Sequence, residues 1–287
     1  METTAAQARS ARDWVREVLV DAHWLAEHLG DPALRVVEVD VSPARFREGH
    51  IPGATLWDIY RELKDADYRL VDRAAIREVV ERSGIGPDST VVFYGYAPAL
   101  GFWLMKLFGH DDVRVLDAGR ETWREEGRPW TADVASPARA TYPLPDEDDR
   151  IRVGLDDVRR AIADRHRVIV DTRSPAEYAG ERFWPSGGME DGGRAGHIPS
   201  AVLVPADGLQ DAQGAFRSAA ELRRLYAPIA TDGDDDLITY CTIGARACTT
   251  WFVLTYALGR DAARVYDGSW AEWGRDPGTP VERDAVQ

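Results

Sequence analysis

Residues Leu237–Leu258 read LITYCTIGARACTTWFVLTYAL, and the rest of the chain is organised around this stretch. Its first four residues are apolar or β-branched, which is typical of a buried strand. Ala247 to Leu258 form a long apolar run with helical potential. The segment between them, Cys241 to Arg246, is too short for anything but a tight turn from a strand into a helix.

Cys241 opens this turn. In such a turn several backbone N–H groups and the positive end of the helix dipole point at the centre of the loop. This environment favours the thiolate form of a cysteine, which is the nucleophilic form. A cysteine at a strand end can equally be a small buried apolar residue, so the function of Cys241 has to be inferred together with the rest of the chain.

The composition predicts a cytoplasmic protein with two domains. The chain has 287 residues, of which 44% are hydrophobic and 29% charged, and this length suits two ordinary domains. No run approaches the ~18 apolar residues of a membrane helix, and the N-terminus lacks the apolar segment of a secretory signal. The two cysteines, Cys241 and Cys248, form neither a disulfide framework nor a metal-ligand spacing. The net charge of −14 argues against nucleic acid and anionic membranes as partners.

The same order of motifs occurs twice. Gly-His-Ile-Pro occurs at Gly49 and again at Gly196. An Asp and a Trp recur at equal spacing in both halves, and a Tyr-Gly pair in the first half matches Tyr240-Cys241 in the second. These repeats are Asp117 with Trp123, Asp267 with Trp273, and Tyr94-Gly95. Strands alternate with helices in both halves, which predicts an α/β fold with a parallel sheet flanked by helices in each half. The predicted strands are 17–20, 35–40, 90–94, 113–116, 151–153, 168–171, 237–240 and 264–266, and the main predicted helices are 22–29, 74–83, 101–108, 156–163 and 247–258.

We predict an N-terminal domain over residues 1–135, a linker over 136–149 and a C-terminal domain over 150–287. The first half has Gly95 where the second has Cys241, so only the second half can perform thiol chemistry. The second half also carries an insertion, since 25 positions separate Asp171 from Gly196 where 9 separate Asp40 from Gly49. This insertion, around residues 181–193, is either a tolerated surface loop or a lid or substrate rim beside the cysteine loop.

These motifs together resemble the tandem rhodanese-type sulfurtransferases. Cys241-Thr242-Ile243-Gly244-Ala245-Arg246 is similar to the Cys-x-x-Gly-x-[Arg/Thr/Ser] loop of that family. Asp171–Tyr178, the two Gly-His-Ile-Pro segments and Tyr266–Trp273 also look like the family's flanking motifs. The resemblance covers nearly the whole chain. It implies two rhodanese-like domains related by internal duplication, with the N-terminal domain inactive.

The resemblance implies a reaction in two half-steps. The Cys241 thiolate would take the outer sulfur of thiosulfate, become a persulfide, and pass that sulfur to cyanide or another thiophilic acceptor, a thiol or a protein included. The loop would hold the persulfide through its amides and one charge; its members are Thr242, Ile243, Gly244, Ala245 and Arg246. Arg246 could instead anchor the loop. The family requires no metal and no organic cofactor.

Departures from the family pattern bear on the donor. Thr242 and Ile243 stand where vertebrate thiosulfate enzymes have two cations, and Ile243 also replaces the relay Ser of 3-mercaptopyruvate enzymes. Glu177 aligns with a substrate-binding Arg of the family. We therefore expect substitute cations, with Arg173, Arg182 and Arg194 as candidates. The Ile and Arg of the loop resemble actinobacterial thiosulfate enzymes, which favours thiosulfate.

Three alternatives stay open at this point. The protein could be a 3-mercaptopyruvate sulfurtransferase, or it could relay a persulfide to a protein acceptor in a biosynthetic pathway. A cysteine phosphatase is a remote alternative, because Arg246 comes one residue too early for its Cys-x5-Arg loop. His50 and His197 are predicted to be structural residues of their turns. Cys248 is predicted to be helix core or, as a minor alternative, a resolving thiol.

Overall fold

The chain forms two parallel five-stranded sheets with the same strand order. The computed structural model describes residues 18–164, 166–229 and 236–283. The first sheet has the order β1-β5-β4-β2-β3 and the second the order β6-β10-β9-β7-β8. The strands are β1 Leu19–Val20, β2 Leu34–Asp40, β3 Thr55–Asp58, β4 Thr90–Gly95, β5 Val113–Leu116, β6 Arg152–Val153, β7 Arg167–Asp171, β8 Val202–Leu203, β9 Asp236–Tyr240 and β10 Ala263–Tyr266. The predicted fold class is confirmed.

Helices flank both sheets. They are α1 Ala22–His28, α2 Pro43–Glu48, α3 Arg73–Arg82, α4 Pro98–Leu107, α5 Arg120–Glu125, α6 Leu155–Ala161, α7 Pro175–Tyr178, α8 Ala219–Leu225, α9 Ala245–Phe252 and α10 Ser269–Trp273. Side chains that favour N-caps begin several of them; Asp72 accepts from the Ala75 N–H and Ser174 from the Glu177 N–H. None of the helices in the described part of the chain combines the length and apolar character that a bilayer crossing requires.

Each predicted element has an observed counterpart close to it, but the short helices α2, α5, α7, α8 and α10 were not predicted. The helix expected to begin at residue 101 begins at Pro98, since proline suits the first helical turn. The run predicted as one helix over 247–258 is α9 followed by a π-helical turn, Val253–Ala257. The edge strands β3 and β8 were not predicted. Residue 17 of the first predicted strand lies outside the described residues, and the domain boundaries 1–135, 136–149 and 150–287 stay a prediction.

The two halves repeat not only elements but individual hydrogen bonds. In each half a tyrosine hydroxyl at the end of a central strand accepts from the isoleucine N–H of the Gly-His-Ile-Pro segment. These bonds are Ile51 to Tyr94 at 3.1 Å and Ile198 to Tyr240 at 3.2 Å. The residues that follow the two tyrosines, Gly95 and Cys241, therefore occupy equivalent positions at the carboxyl edges of their sheets, where α/β folds place their sites.

The glycines of these segments are required by close packing. A Cβ on Gly49 would lie 2.1 Å from the indole Nε1 of Trp130, and one on Gly196 would lie 2.2 Å from the carbonyl of Glu282. Both glycines also have positive φ, 154° and 128°, which only glycine adopts readily. In each half the Gly-His-Ile-Pro segment is therefore a turn that packs closely against a neighbouring part of the chain, and glycine makes this packing possible.

An apolar seam joins the two halves. Phe102 of α4 contacts Phe252 of α9 and Tyr256 edge to face, with ring centroids 4.9 and 5.2 Å apart. Such aromatic pairs contribute about 0.5–1.5 kcal/mol each beyond the area that they bury. Because α4 and α9 each follow the strand that carries Gly95 or Cys241, this seam brings the carboxyl edge of one sheet up to that of the other.

Candidate active site

The loop between β9 and α9 carries Cys241 and ends at Gly244. Gly244 has φ of +90°, a left-handed conformation that favours glycine. A Cβ at this position would lie 2.8 Å from the Asp267 carbonyl oxygen. The loop can therefore turn back on itself only with glycine at this position, which matches the Cys-x-x-Gly pattern of the sequence.

The Cys241 sulfur receives a backbone hydrogen bond from its own loop. The Gly244 N–H donates to the Cys241 Sγ across 3.1 Å, and the cysteine is only 1% exposed. Because Gly244 directly precedes α9, this donor lies at the positive end of the helix. The arrangement stabilises negative charge on the sulfur.

The first turn of α10 supports the loop from behind. The Trp270 N–H donates to the Cys241 carbonyl at 2.9 Å, and the Cys241 N–H donates to the Ser269 Oγ at 3.1 Å. Ser269 holds a φ of +53°, which costs free energy for a residue other than glycine. The strain is located where the serine hydroxyl is needed to accept from the cysteine.

Arg246 forms a bidentate ion pair with Glu177. Its two guanidinium nitrogens lie 2.9 and 2.7 Å from the carboxylate oxygens, and both groups also bind the Thr242 hydroxyl. Burial alone would raise the pKa of Glu177, but the hydrogen bonds and charge of Arg246, with help from Ser174, outweigh burial and lower it to about 2. The carboxylate is therefore ionised at neutral pH and balances the charge of Arg246.

A small cleft opens at the sulfur, with walls from both halves of the chain. The first half contributes Val41, Tyr60 and Tyr96, and the second contributes Trp184, Ile243 and Arg246 beside Cys241. Arg246 is the only Lys or Arg among the described residues that line it. The walls are otherwise mainly apolar and aromatic.

Two phenols form one side of the cleft, with Tyr60 44% and Tyr96 54% exposed. Burial of the hydroxyl and the nearby Tyr96, Tyr68 and Cys241 raise the pKa of Tyr60 to about 12. Burial likewise raises the pKa of Tyr96. Both phenols stay protonated at neutral pH and can donate a hydrogen bond to an anion in the cleft.

The insertion of the second half contributes to the rim of the cleft. Trp184 and Pro185 line the cleft, and the Trp184 indole donates to Glu190 at 2.9 Å. Trp184 also meets the Tyr68 ring of the first half, with centroids 5.3 Å apart. The insertion therefore bridges the two halves beside Cys241.

The three arginines expected as substitute cations do not line this cleft. Arg173 is fully buried, pairs with Asp171 at 2.6 Å and stacks on Trp270 at 4.5 Å. Arg194 donates to backbone carbonyls beyond α10, including that of Thr279 at 2.6 Å. Arg182 donates to the Ser174 hydroxyl at 3.0 Å. Arg182 is thus one hydrogen bond removed from Glu177, while the other two serve the fold.

The remaining candidates are held by the structure. The His50 ring stacks on Phe46 and lies within hydrogen-bond distance of two backbone carbonyls, and His197 stacks on Tyr178 in the same way. Cys248 is a free, buried thiol, and burial raises its pKa well above the ordinary value. The described residues offer no group of three or more His, Cys, Asp or Glu side chains that could hold a metal ion.

Comparison with known proteins identifies the family. The rhodanese-like domain family matches residues 21–126 and again residues 155–276. The chain belongs to the rhodanese family. It is 42% identical over 276 residues to "Sulfur carrier protein TtuD" of Thermus thermophilus, which covers 93% of this chain and 97% of that protein. It is 43% identical over 272 residues to "Putative thiosulfate sulfurtransferase SseA" of Mycobacterium bovis, with 92% and 90% covered.

Solved structures share the rhodanese fold at lower identity. The wild-type structure of EanB matches with a TM-score of 0.82 at 22% identity, over 96% of this chain and 74% of that one. The crystal structure of YnjE matches with a TM-score of 0.79 at 25% identity, over 94% and 69%. The family predicted from the sequence motifs is confirmed.

Sequence reasoning missed the role of Glu177 and the phenols of the first half. Glu177 stood out only as a departure from an expected arginine, although Ser174-x-x-Glu177 is a capping-box pattern that fixes a carboxylate near a helix start. Tyr60 and Tyr96 carry no signal of their own. Only the packing of one half against the other brings them to Cys241.

Proposed function

We propose that this rhodanese-family protein transfers a sulfane sulfur from thiosulfate to cyanide or another thiophilic acceptor through a persulfide on Cys241. The observation that carries the proposal is the Gly244 N–H, which lies 3.1 Å from the Cys241 sulfur at the base of an open cleft. A preformed donor aimed at one sulfur suits chemistry in which that sulfur, or one bonded to it, bears negative charge.

In the first half-reaction the Cys241 thiolate attacks the outer sulfur of thiosulfate. A new sulfur–sulfur bond forms, the bond from the outer sulfur to the sulfonate sulfur breaks, and sulfite leaves with the electron pair. The enzyme then holds Cys241 as a persulfide anion. The loop amides from Thr242 to Arg246 receive this charge, as preorganised donors do for developing anions.

In the second half-reaction the acceptor attacks the outer sulfur of the persulfide. Cyanide forms a carbon–sulfur bond, the sulfur–sulfur bond breaks, and the electron pair returns to Cys241 as thiolate. Thiocyanate leaves, and over the full cycle the protein is neither oxidised nor reduced. Two half-reactions with a covalent intermediate give ping-pong kinetics.

Arg246 and the phenols of Tyr60 and Tyr96 supply the contacts for the sulfonate of the donor. Arg246 lines the cleft and keeps 17% of its side chain exposed despite its pair with Glu177. The protonated phenols add two neutral donors on the opposite side. In this proposal Arg173 and Arg194 hold the second domain together, and Arg182 acts through Ser174.

The thiols suggest where the reaction takes place. Cys241 and Cys248 are both unpaired, and free thiols persist in reducing compartments. We therefore propose a cytoplasmic location.

The test is thiocyanate production from cyanide, with thiosulfate and 3-mercaptopyruvate supplied in parallel at equal concentration. We expect turnover with a clear preference for thiosulfate, and an intact-mass increase of one sulfur atom on the enzyme before cyanide is added. A preference for 3-mercaptopyruvate would replace the donor in the proposal. A persulfide that forms without turnover to cyanide would favour a different acceptor.

A second candidate is the relay of the Cys241 sulfur to a protein acceptor. The mainly apolar and aromatic rim, with Trp184 and the exposed Tyr60 and Tyr96, favours it because such a rim suits contact with another macromolecule. The Thermus relative is named a sulfur carrier protein. Loading the enzyme with radiolabelled sulfur and following its transfer to proteins of the same cell would support this role, and release only as thiocyanate would contradict it.

A further inference from the structure

Each half of the chain extends a turn onto the other half. Residues 64–70 form the first turn, closed by an antiparallel bridge between Lys64 and Leu70. Residues 210–216 form the second turn, closed by the equivalent bridge between Gln210 and Phe216. The first turn reaches the half that carries Cys241, and the second reaches the half that carries Gly95.

The two turns dock through the same hydrogen bond. The Leu70 N–H donates to the Asp267 carboxylate at 2.8 Å, and the Phe216 N–H donates to the Asp117 carboxylate at 2.7 Å. Each aspartate directly follows the equivalent strand of its sheet, β10 or β5. The repeat in the sequence thus includes a reciprocal contact, and the residues at matching points of the two turns can be compared directly.

The matching side chains differ in charge. Lys64 has only 1% of its side chain exposed, and its Nζ donates to the Asp267 carbonyl at 3.0 Å and lies 3.7 Å from the Asp267 carboxylate. Gln210 instead donates to the Gly214 carbonyl of its own turn at 2.8 Å. A buried cation therefore crosses to the half with the cysteine, whereas the neutral amide at the matching point of the other turn binds within its own turn.

The Lys64 ammonium lies against the cysteine loop. It is 3.3 Å from the point where a Cβ of Gly244 would be, and Gly244 is the residue whose N–H binds the Cys241 sulfur. The carbonyl that Lys64 binds belongs to Asp267, directly ahead of Gly268 and the first turn of α10 that supports the loop. Lys64 thus binds the support of the loop directly and lies beside the loop itself.

The Asp267 carboxylate is shared by two cations. Burial alone would raise the pKa of Asp267, but Lys64 and Arg152 outweigh burial and hold it below its ordinary value. Arg152 lies 2.9 Å from the same carboxylate. Arg152 pairs in turn with Glu147 at 2.6 Å, so the four charges balance, and Lys64 is the one of the two cations that lies beside Gly244. The Lys64 charge acts over several ångströms because little water screens it.

We propose that Lys64 is a positioning residue for sulfur transfer, which the half without a catalytic cysteine supplies to the half that has one. Its ammonium holds the Asp267 turn against the Cys241 loop and places a buried positive charge beside Gly244, whose N–H binds the Cys241 sulfur. The assignment of a step to this charge rests on the proposed function. The role of the first half is then to complete the site as well as to cover it.

Other groups also face Cys241, and the experiment must separate them from Lys64. Tyr60 and Tyr96 face it from the first half, Arg246 with its partner Glu177 from the second, and the Cys248 thiol from within α9. A substitution of Lys64 alters none of these other side chains. Changes that follow from it can then be assigned to the ammonium.

The experiment compares Lys64→Met, which removes both charge and donor, with Lys64→Arg, which keeps both. The matched control is Gln210→Met at the equivalent point of the other turn. The readouts are the single-turnover rate of persulfide formation from thiosulfate, the pH profile of Cys241 alkylation by iodoacetamide followed by peptide mass, and the urea unfolding midpoint.

We expect Lys64→Met to slow persulfide formation by about tenfold, equivalent to about 1.4 kcal/mol in the barrier, and to move the alkylation profile to higher pH. Lys64→Arg should restore most of both, and Gln210→Met should change neither. An unchanged rate and profile in Lys64→Met would overturn the proposal and leave Lys64 as an interface residue.

Two further outcomes are decided by the same measurements. If Lys64→Met did not fold, Lys64→Gln would take its place, since it keeps a donor and removes only the charge; the same slower rate and shifted profile are expected, and their absence would overturn the proposal. If the wild-type protein took no sulfur from thiosulfate, the proposed function would fail. The alkylation profiles would then still support or overturn the role of Lys64.

Discussion

The Gly95 loop and the Cys241 loop occupy equivalent places in two copies of one fold, yet they direct their backbone groups differently. In the first half the N–H groups of Tyr96 and Ala97 both donate to the Val39 carbonyl, at 2.9 and 3.1 Å. In the second half the Gly244 N–H donates to the Cys241 sulfur. The first loop is closed onto its own sheet, whereas the second turns a donor towards the cleft.

The helices that follow the loops extend this contrast. Helix α4 begins with Pro98, which has no N–H, while α9 begins with Ala245. A missing N–H at the first helical position removes one of the groups that bind anions at helix starts. The comparison teaches that the two loops differ in their backbone donors as well as in the replacement of a cysteine by glycine.

Replacing Cys241 by Ser should have the largest effect, because it removes the thiol that distinguishes the second loop from the first. Serine is nearly isosteric, but its hydroxyl is a far weaker nucleophile near neutral pH and cannot form the persulfide. We expect sulfur transfer to fall at least roughly a thousandfold, about 4 kcal/mol in the barrier. Thiocyanate release measures the effect.

The urea midpoint of Cys241→Ser should stay near that of the wild type. Cys248→Ser is the matched control, because that thiol is buried and takes no part in the proposed reaction; it should keep the activity. Substantial activity in Cys241→Ser would show that another group is the nucleophile.

Glu177 marks a second difference between the halves, because the first half has Arg45 at the matching place after its Ser-Pro-Ala turn. Glu177→Gln should destabilise the protein by about 3 kcal/mol at neutral pH, since it leaves Arg246 without its buried counter-charge. Urea unfolding measures the loss. Arg45→Gln is the control; its partner Glu121 is exposed, so little should change.

The pH dependence of this effect follows from the lowered pKa of Glu177, about 2. The ion pair contributes its full stability above about pH 4.5, the ordinary value for a glutamate. The contribution is lost as the pH falls from there towards 2. The difference in stability between wild type and Glu177→Gln should therefore shrink over this range, and a constant difference would show that charge is not its cause.

Placing a thiol in the first loop tests whether the cysteine alone makes the site. Gly95 has φ of +106°, and a Cβ there would lie 2.9 Å from the side chain of Glu38 and from the Val39 carbonyl. Gly95→Cys should therefore cost about 2 kcal/mol. In a Cys241→Ser background it should give no thiocyanate.

Gly95→Ala is the matched control, because it adds the same Cβ without the sulfur and should cost a similar amount in urea unfolding. Sulfur transfer by the doubly substituted protein would mean that the first loop can hold a persulfide after all. The contrast drawn from the backbone would then be wrong.

Ser269 is the place where the smallest effect is expected. Its first-half counterpart is Gly119, so only the second half has a hydroxyl for the N–H of its loop. Ser269→Ala removes this acceptor and should cost about 1 kcal/mol. Ser269→Gly removes it too but relieves the positive φ, and should be the more stable of the two in urea. The opposite order would argue against strain at this position.

Much of the fold could be predicted from the sequence because the patterns that indicate it are local or occur twice. The Gly-His-Ile-Pro segments each require glycine for close packing, and the apolar runs ahead of Gly95 and Cys241 behave as buried central strands. The edge strands β3 and β8 escaped prediction, since β8 has two residues and partly exposed side chains. Short edge strands carry little of the hydrophobic signal on which such predictions depend.

The sequence predicted only the part of the site whose residues are adjacent in the chain. Cys241 to Arg246 follow one another in the chain, so their geometry follows from the turn. Lys64, Tyr60 and Glu177 reach the cysteine loop through tertiary packing. Nothing local marks Lys64 or Tyr60, and the capping box of Glu177 marks only a helix start. Arg173 and Arg194 were predicted as substitute cations because charge is visible in a sequence, whereas the pairing of that charge with Asp171 or with backbone carbonyls is not.

The buried Cys248 has a consequence for oxidative damage. Burial raises the pKa of its thiol, so it stays protonated and is a poor nucleophile towards a sulfenic acid on Cys241. We expect no internal disulfide to intercept the first oxidation step. An oxidised Cys241 would depend on a thiol that enters through the cleft from outside, and without one it would proceed to the sulfinic acid, which is irreversible for most proteins.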